Sequence, residues 1–423
     1  MTKATHKRPV KSADYTEQIA VIGGGAAGLV AAITAAQTGC NVTLFEQNDR
    51  VGKKILASGN GRCNITNTQL HVDDYFGADP AFVAPALEAF GFKRFEKFCV
   101  SMGLLLHIKE DGRCYPLSNT AGSVVTALQE KAREYGVTFV CGAPVTEVEK
   151  IAAEFHISSN DERFGPYSKV LVATGSEAAP QLGANASGYR FAEAFGHTLF
   201  PTYPSLVALE LDSALHHKMS GTKQEAEVTL YLGGKAEERV SGDILFTRYG
   251  ISGFAILDIS QKASESLQQY QEVSIGLKLL PDFERQSLAE AIGKLAKSVP
   301  NYPVETLLGG LIPPKIARCI CESSNIESTL RASELSTKSI KNLANTLCDW
   351  RFRVSDTHGF KHAEVSGGGV ATAEVDAKTM ESKMVSGLYF AGEVLDIVGK
   401  RGGYNLHFAW ASGYLAGTSM ARS

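Results

Sequence analysis

Gly23, Gly24, Gly25 and Gly28 crowd into six residues directly after the apolar run 18–22, and Glu46 follows eighteen positions beyond Gly28. Glycine weakens helices and strands, so such a cluster at an element boundary needs a reason. The spacing Gly23-x-Gly25-x-x-Gly28 suits the grip of a diphosphate. Gly23 permits a tight turn, Gly25 lets the phosphates reach the backbone, and Gly28 lets a helix pack closely on a strand. The start of that helix offers N–H donors and the positive end of its dipole. Glu46 at this distance can accept hydrogen bonds from ribose hydroxyls and repels a 2′-phosphate, which disfavours NADP and leaves FAD and NAD.

The elements that must position these residues are legible around them. Residues 18–22 read as a buried strand, Ala26 to Thr38 as an alanine- and leucine-rich helix stopped by Gly39, and Asn41 to Phe45 as a second strand. Residues 50–67 then carry Arg50, Lys53, Lys54 and Arg62 with no acid, in a glycine-rich loop suited to an anion. Residues 81–135 read as mainly helical, broken by a hairpin at "HIKEDGRCYP", and "SKVLVATG" as a strand ending in Ala173, Thr174 and Gly175. After Gly196 the composition turns to strands, and from Asp282 to Leu347 to helices. "GLYFAGE" and "YNLHFAWASGYLAG" then restore a strand, a glycine loop and a helix. No second full GxGxxG is visible, so a nicotinamide donor would visit rather than reside.

Composition is that of a globular chain: 423 residues, 44% hydrophobic, 21% charged, net charge −3. That excludes a global polyanion-binding footprint, while Arg50, Lys53, Lys54, Lys400 and Arg401 could form a local one. No apolar run reaches membrane-spanning length, and the polar residues 1–17 read as a disordered tail without a secretory signal. The eight cysteines contain a CxC (Cys319, Cys321) but no CxxC or paired metal-ligand spacing. No metal site and no dithiol centre are expected, and reduced thiols point to a cytoplasmic location.

The motifs "VIGGGAAGLVAA", "GKKILASGNGRCNITN", "VLVATG", "LFTRYGISG", "AEVSGGGV", "TMESKMVSGLYFAGEVLD" and "GGYNLHFAWASGYLAG" together resemble the bacterial BaiN/RdsA (YhiN-like) flavoproteins, over about residues 18–420. The resemblance implies an α/β fold: a glutathione-reductase-type FAD-binding Rossmann domain with an inserted β-barrel and a small helical domain. It divides the chain into 18–195 and 350–423 for the FAD domain, 196–281 for the barrel and 282–349 for the helices. It maps FAD contacts onto Gly23, Gly25, Ala26, Ala27, Gly28, Glu46, Gln47, Lys54, Arg62, Asn64, Val145, Ala173, Thr174, Gly175, Gly392, Glu393, Asp396, Gly403, Tyr404 and Asn405.

By the same resemblance, NADH or NADPH reduces the flavin, which then saturates an electron-poor C=C bond of a small molecule or of uridine in ribosomal RNA. A non-catalytic flavin-binding protein is the remaining alternative. Arg248, Arg401, Tyr404 and His407 are the candidate proton donors or substrate clamps, although His407, on a helix with Phe408 and Trp410, reads more readily as a packed histidine with a satisfied hydrogen bond. Cys63 reads as a structural thiol rather than a redox group. Two positions depart from the family pattern Thr-His-x-Gly-x-Ser-Gly-Pro: Arg248 replaces the histidine and Phe254 the proline.

Overall fold

The computed structural model describes residues 16–422, so the expected tail lies outside the described residues except for Thr16 and Glu17. The chain forms two compact units. The first takes the chain up to Ser176, Leu182–Phe200 and the chain from Gly369 onward; the second takes Glu177–Gln181 and Pro201–Gly368.

The first unit is built on a five-stranded parallel sheet in the order Leu388–Phe390, Lys169–Val172, Gln18–Ile22, Asn41–Glu46, Thr138–Cys141. Its strands are near-continuous apolar runs because both faces are covered. Helix Ala26–Ala36 is buried almost throughout. It packs against the long helix Tyr404–Met420 through small residues. A Cβ on Gly413 would stand 2.3 Å from the Ala27 carbonyl oxygen, and one on Gly417 2.5 Å from that of Ala31. The sheet thus takes strands from both ends of the sequence. Antiparallel strands Val145–Ile151, Glu154–Ser159 and Glu162–Tyr167 form a separate sheet, and Thr66–Asn67, Arg113–Pro116 and Leu106–Ile108 another.

The second unit contains a closed six-stranded barrel in the order Leu209–Leu211, Gly250–Ser252, Lys235–Phe246, Lys223–Leu232, Val273–Lys278, Trp350–Thr357. Closure removes the open edges of its sheet. Helices Arg285–Ser298, Val304–Gly309, Pro314–Ser323 and Thr337–Cys348 share its apolar core. Two features depart from the sequence reading. The chain returns to the barrel after these helices: Trp350–Thr357 pairs with Val273–Lys278 and Leu209–Leu211, so residues 350–368 belong with the insertion. And helix Phe254–Gln268 interrupts the strand region, burying Ala255, Ile256, Ile259 and Ala263 on one face.

Candidate functional site

The glycine loop lies between strand Gln18–Ile22 and helix Ala26–Ala36, and its glycines serve different masters. Gly23 has φ +108°, and a Cβ there would stand 2.3 Å from the Ala173 carbonyl oxygen. A Cβ on Gly28 would stand 1.9 Å from the Gly23 carbonyl oxygen. Both are therefore demanded by the protein's own packing. Gly25 is different. Its φ of −84° is ordinary for any residue, and its Cβ would meet nothing within 4 Å. Nothing among the described residues requires glycine there, so the space beside it is open to a ligand.

Helix Ala26–Ala36 begins with no side-chain cap and no acid in its first turn, so its leading N–H groups are left to whatever enters that space. Glu46 closes the same corner. Its Oε2 accepts from Gly24 N (2.9 Å) and its Oε1 from Asn48 N (2.8 Å), which fixes the carboxylate at the strand end. Gln47 is exposed; its amide donates to the Gly183 carbonyl and accepts from Asn185 Nδ2. Ala143 N donates to the Glu46 carbonyl, bringing the Val145 strand start to the same strand end.

Residues from distant parts of the sequence gather beside this loop. Ala173 approaches Gly23, and Gly392 packs against Ala27. Glu393 joins Lys54 (Nζ–Oε2 2.7 Å) and accepts from Ser176 Oγ (2.7 Å). Ser176 escaped the sequence reading; its signal is only that it follows Thr174-Gly175 at a strand end.

A second group surrounds the start of helix Tyr404–Met420, which also lacks a side-chain cap. Gly403, at φ +101°, lies against the Thr66 backbone, and Asn64, oriented to satisfy both ends of its amide, accepts from Gly403 N. Asn405 pins the preceding loop by exchanging 2.7 Å bonds with the Gly399 N–H and carbonyl. Asp396 is buried and accepts from Ala78 N. Arg62 lies over the Tyr115 ring and donates to the Gly59 carbonyl.

The proton-donor candidates divide between the two units. Arg401, Tyr404 and His407 belong to the first unit and Arg248 to the second, where it is exposed and its carbonyl lies 3.2 Å from His216 Nε2. His407 is fully buried, with Nδ1 2.7 Å from Thr66 Oγ1 and its ring edge-on to Phe95; burial pushes its pKa down to about 4. It is neutral at pH 7. The half-buried Tyr404 phenol is pushed up by burial and by the charges of Asp74 and Asp111, so it keeps its proton.

Cys63 is buried, and burial pushes its thiol up to about 11, which leaves no thiolate for redox chemistry at neutral pH. All eight cysteines are free thiols, and no cluster among the described residues could hold a metal. The basic cluster is largely compensated. Lys53 pairs with Asp49, Lys54 with Glu393 and Lys400 with Asp74. Phe254 stands at the first position of its helix, where a proline also fits without losing an intrahelical bond.

Comparison with known proteins agrees with this architecture. The chain is 37% identical over 406 residues to the 3-dehydro-bile acid delta(4,6)-reductase of Clostridium scindens, covering 96% of this chain and 99% of that one. It is 34% identical over 417 residues to the ribosomal RNA dihydrouridine synthase of Haemophilus influenzae, with the same coverage. Among solved structures, the 3-ketosteroid delta1-dehydrogenase of Sterolibacterium denitrificans superposes over 96% of this chain and 99% of its own, with a TM-score of 0.52 at 12% identity, a likeness of fold. The family described as HI0933-like protein Rossmann domain matches residues 17–419, and the chain belongs to that family of flavin oxidoreductases.

Proposed function

We propose that the protein binds FAD in the first unit and uses it to reduce an electron-poor C=C bond of a small molecule, with NADH or NADPH as a visiting donor. The observation that carries this reading is Gly25: an ordinary backbone conformation, no neighbour to forbid a side chain, and a glycine nonetheless. The uncapped helix start, the fixed Glu46 carboxylate and the Lys54–Glu393 pair border the same loop, which suits a diphosphate and a ribose. When bound, flavin supplies the hydride transfer.

This chain's residues supply the rest. Amides at Ala26 and Ala27 hold the diphosphate, and Glu46 orients the ribose. The uncapped start of Tyr404–Met420 offers a positive dipole end to developing negative charge. Tyr404 holds a proton at Oη through neutral pH, as a proton donor must. His407, neutral and bonded to Thr66, fits a positioning role beneath it. The bile-acid reductase relative supports the C=C chemistry.

The test is spectroscopic. The purified protein should be yellow, bleach anaerobically with NADH or NADPH, and recover its colour with an α,β-unsaturated carbonyl. Gly25→Val should fold normally and be colourless. A yellow Gly25→Val protein refutes the cradle; a flavin that binds but never cycles leaves a non-catalytic binding protein. A second reading, reduction of uridine in ribosomal RNA, is favoured by the synthase relative, and it requires that deleting the gene lower the dihydrouridine content of ribosomal RNA.

A further inference from the structure

In the first unit, strand Leu106–Ile108 stands at one edge of the small sheet whose order is Thr66–Asn67, Arg113–Pro116, Leu106–Ile108, an edge that no other strand among the described residues covers. Its register pairs Leu106 with Pro116, His107 with Tyr115 and Ile108 with Cys114. Leu117 N donates to the Leu105 carbonyl (2.7 Å) and Lys109 N to the Arg113 carbonyl (2.9 Å). Antiparallel pairs alternate between bonded and non-bonded, so Leu105, His107 and Lys109 spend their backbone groups on the inner neighbour. The N–H and C=O of Leu106 and of Ile108 therefore point away from the sheet. Such an edge is a template for another strand.

The side chains around it are unusually apolar for a surface. Leu105 is 60% exposed, Ile108 45%, Leu117 61% and Val100 55%. Leu117 lies opposite Leu105 in the register, so these two form one patch.

We propose that this edge pairs with the same edge of a second copy of the chain, antiparallel about a two-fold axis through His107. The register is self-complementary. With His107 opposite His107 of the second copy, each Leu106 faces the other copy's Ile108, and these are the residues whose backbone groups point outward. Each such pair exchanges two bonds, giving four across the axis. A shift by one in the sum of paired positions sets Leu106 or Ile108 opposite a residue whose backbone groups point inward, and a shift down by two sets Ile108 opposite Leu104, whose N–H is already spent on the Cys99 carbonyl. The side chains agree: Ile108 covers the second copy's Leu106 on one face, and Leu105 lies against the Lys109 stem on the other. The contact is isologous, so it closes as a dimer and does not propagate. A three-residue edge falls at the low end of interface sizes, below about 1,200 Å², so the dimer is a weak one.

Sedimentation of the flavin-loaded protein tests this. The mean mass should rise from the 45.3 kDa of one chain toward twice that, over roughly micromolar to near-millimolar concentration. The two His107 positions form a non-bonded pair with Cα atoms about 4.5 Å apart, within disulfide range. His107→Cys should therefore cross-link under mild oxidation many-fold faster than Glu110→Cys, whose two copies would stand about 20 Å apart. Ile108→Pro removes an N–H that the sheet does not use and should leave the chain folded, yellow and monomeric. Ile108→Lys keeps the N–H but sets a charge in the apolar row, and should also be monomeric. The proposal is overturned if the natural chain stays monomeric throughout, if both Ile108 variants dimerise as it does, or if the two cysteine variants cross-link equally.

Discussion

His407 illustrates how burial decides what a residue can do. Its type and its place near a glycine loop suggest acid–base work, but it is sealed among Phe95, Trp410 and Thr66. Taking a proton there would cost the hydration of a cation, so its pKa falls from 6.5 to about 4. The unfolded chain binds that proton below about pH 6.5 and the folded one only below about 4, so stability is lost as pH falls through this window. The shift corresponds to at most about 3 kcal/mol. Chemical denaturation at pH 7 and pH 5 should show the natural protein losing stability on acidification, and His407→Gln losing markedly less. Equal slopes would show that the imidazole is more accessible than its burial implies. Cys63 follows the same logic, with a buried thiol held in its neutral form.

Elements explain which parts of the molecule the sequence discloses. The first βαβ unit was legible because its chemistry is local: a strand, a glycine turn and a helix lie within thirty residues, and Gly23 and Gly28 meet demands of close packing within that span and its neighbouring strand. The observed helix ends at Ala36 rather than Thr38, a fray of one half-turn. Helix Phe254–Gln268 was missed although Ala255, Ile256, Ile259 and Ala263 carry a helical period, because the surrounding strand composition dominated the window. The last barrel strand, Trp350–Thr357, alternates buried and exposed residues, yet nothing local says that its partners lie 73 to 79 and 143 to 148 residues earlier. Long-range pairing of this kind is set by closure of the barrel and not by any single segment.

The pairing of helix Tyr404–Met420 with Ala26–Ala36 is equally non-local and yields a test. Gly413 admits the Ala27 carbonyl to within 2.3 Å of where a Cβ would stand, and Ala27 lies in the first turn that faces the proposed diphosphate. Gly413→Leu must push the helices apart, at a cost of about 3 kcal/mol. Thermal unfolding should show a lowered midpoint, and the variant should retain less flavin than Gly413→Ala. Full flavin content with lowered stability would separate the helix contact from the cradle.

At the scale of the whole molecule the balance of charge bears on the substrate. Binding to a nucleic acid draws most of its affinity from neutralised phosphates and falls steeply with salt. Here the net charge is −3, and Lys53, Lys54 and Lys400, three members of the one basic group that the sequence offered, already face Asp49, Glu393 and Asp74. Releasing a lysine from its carboxylate to meet a phosphate trades one ion pair for another and gains little. No helix among the described residues is long and apolar enough to cross a membrane. The small-molecule reading therefore predicts that deleting the gene leaves the dihydrouridine content of ribosomal RNA unchanged when nucleosides are compared by mass spectrometry. Loss of dihydrouridine, restored by the natural gene but not by one carrying Gly25→Val, would transfer the flavin chemistry proposed here to RNA. It would also require a phosphate-binding surface formed by residues other than these paired lysines.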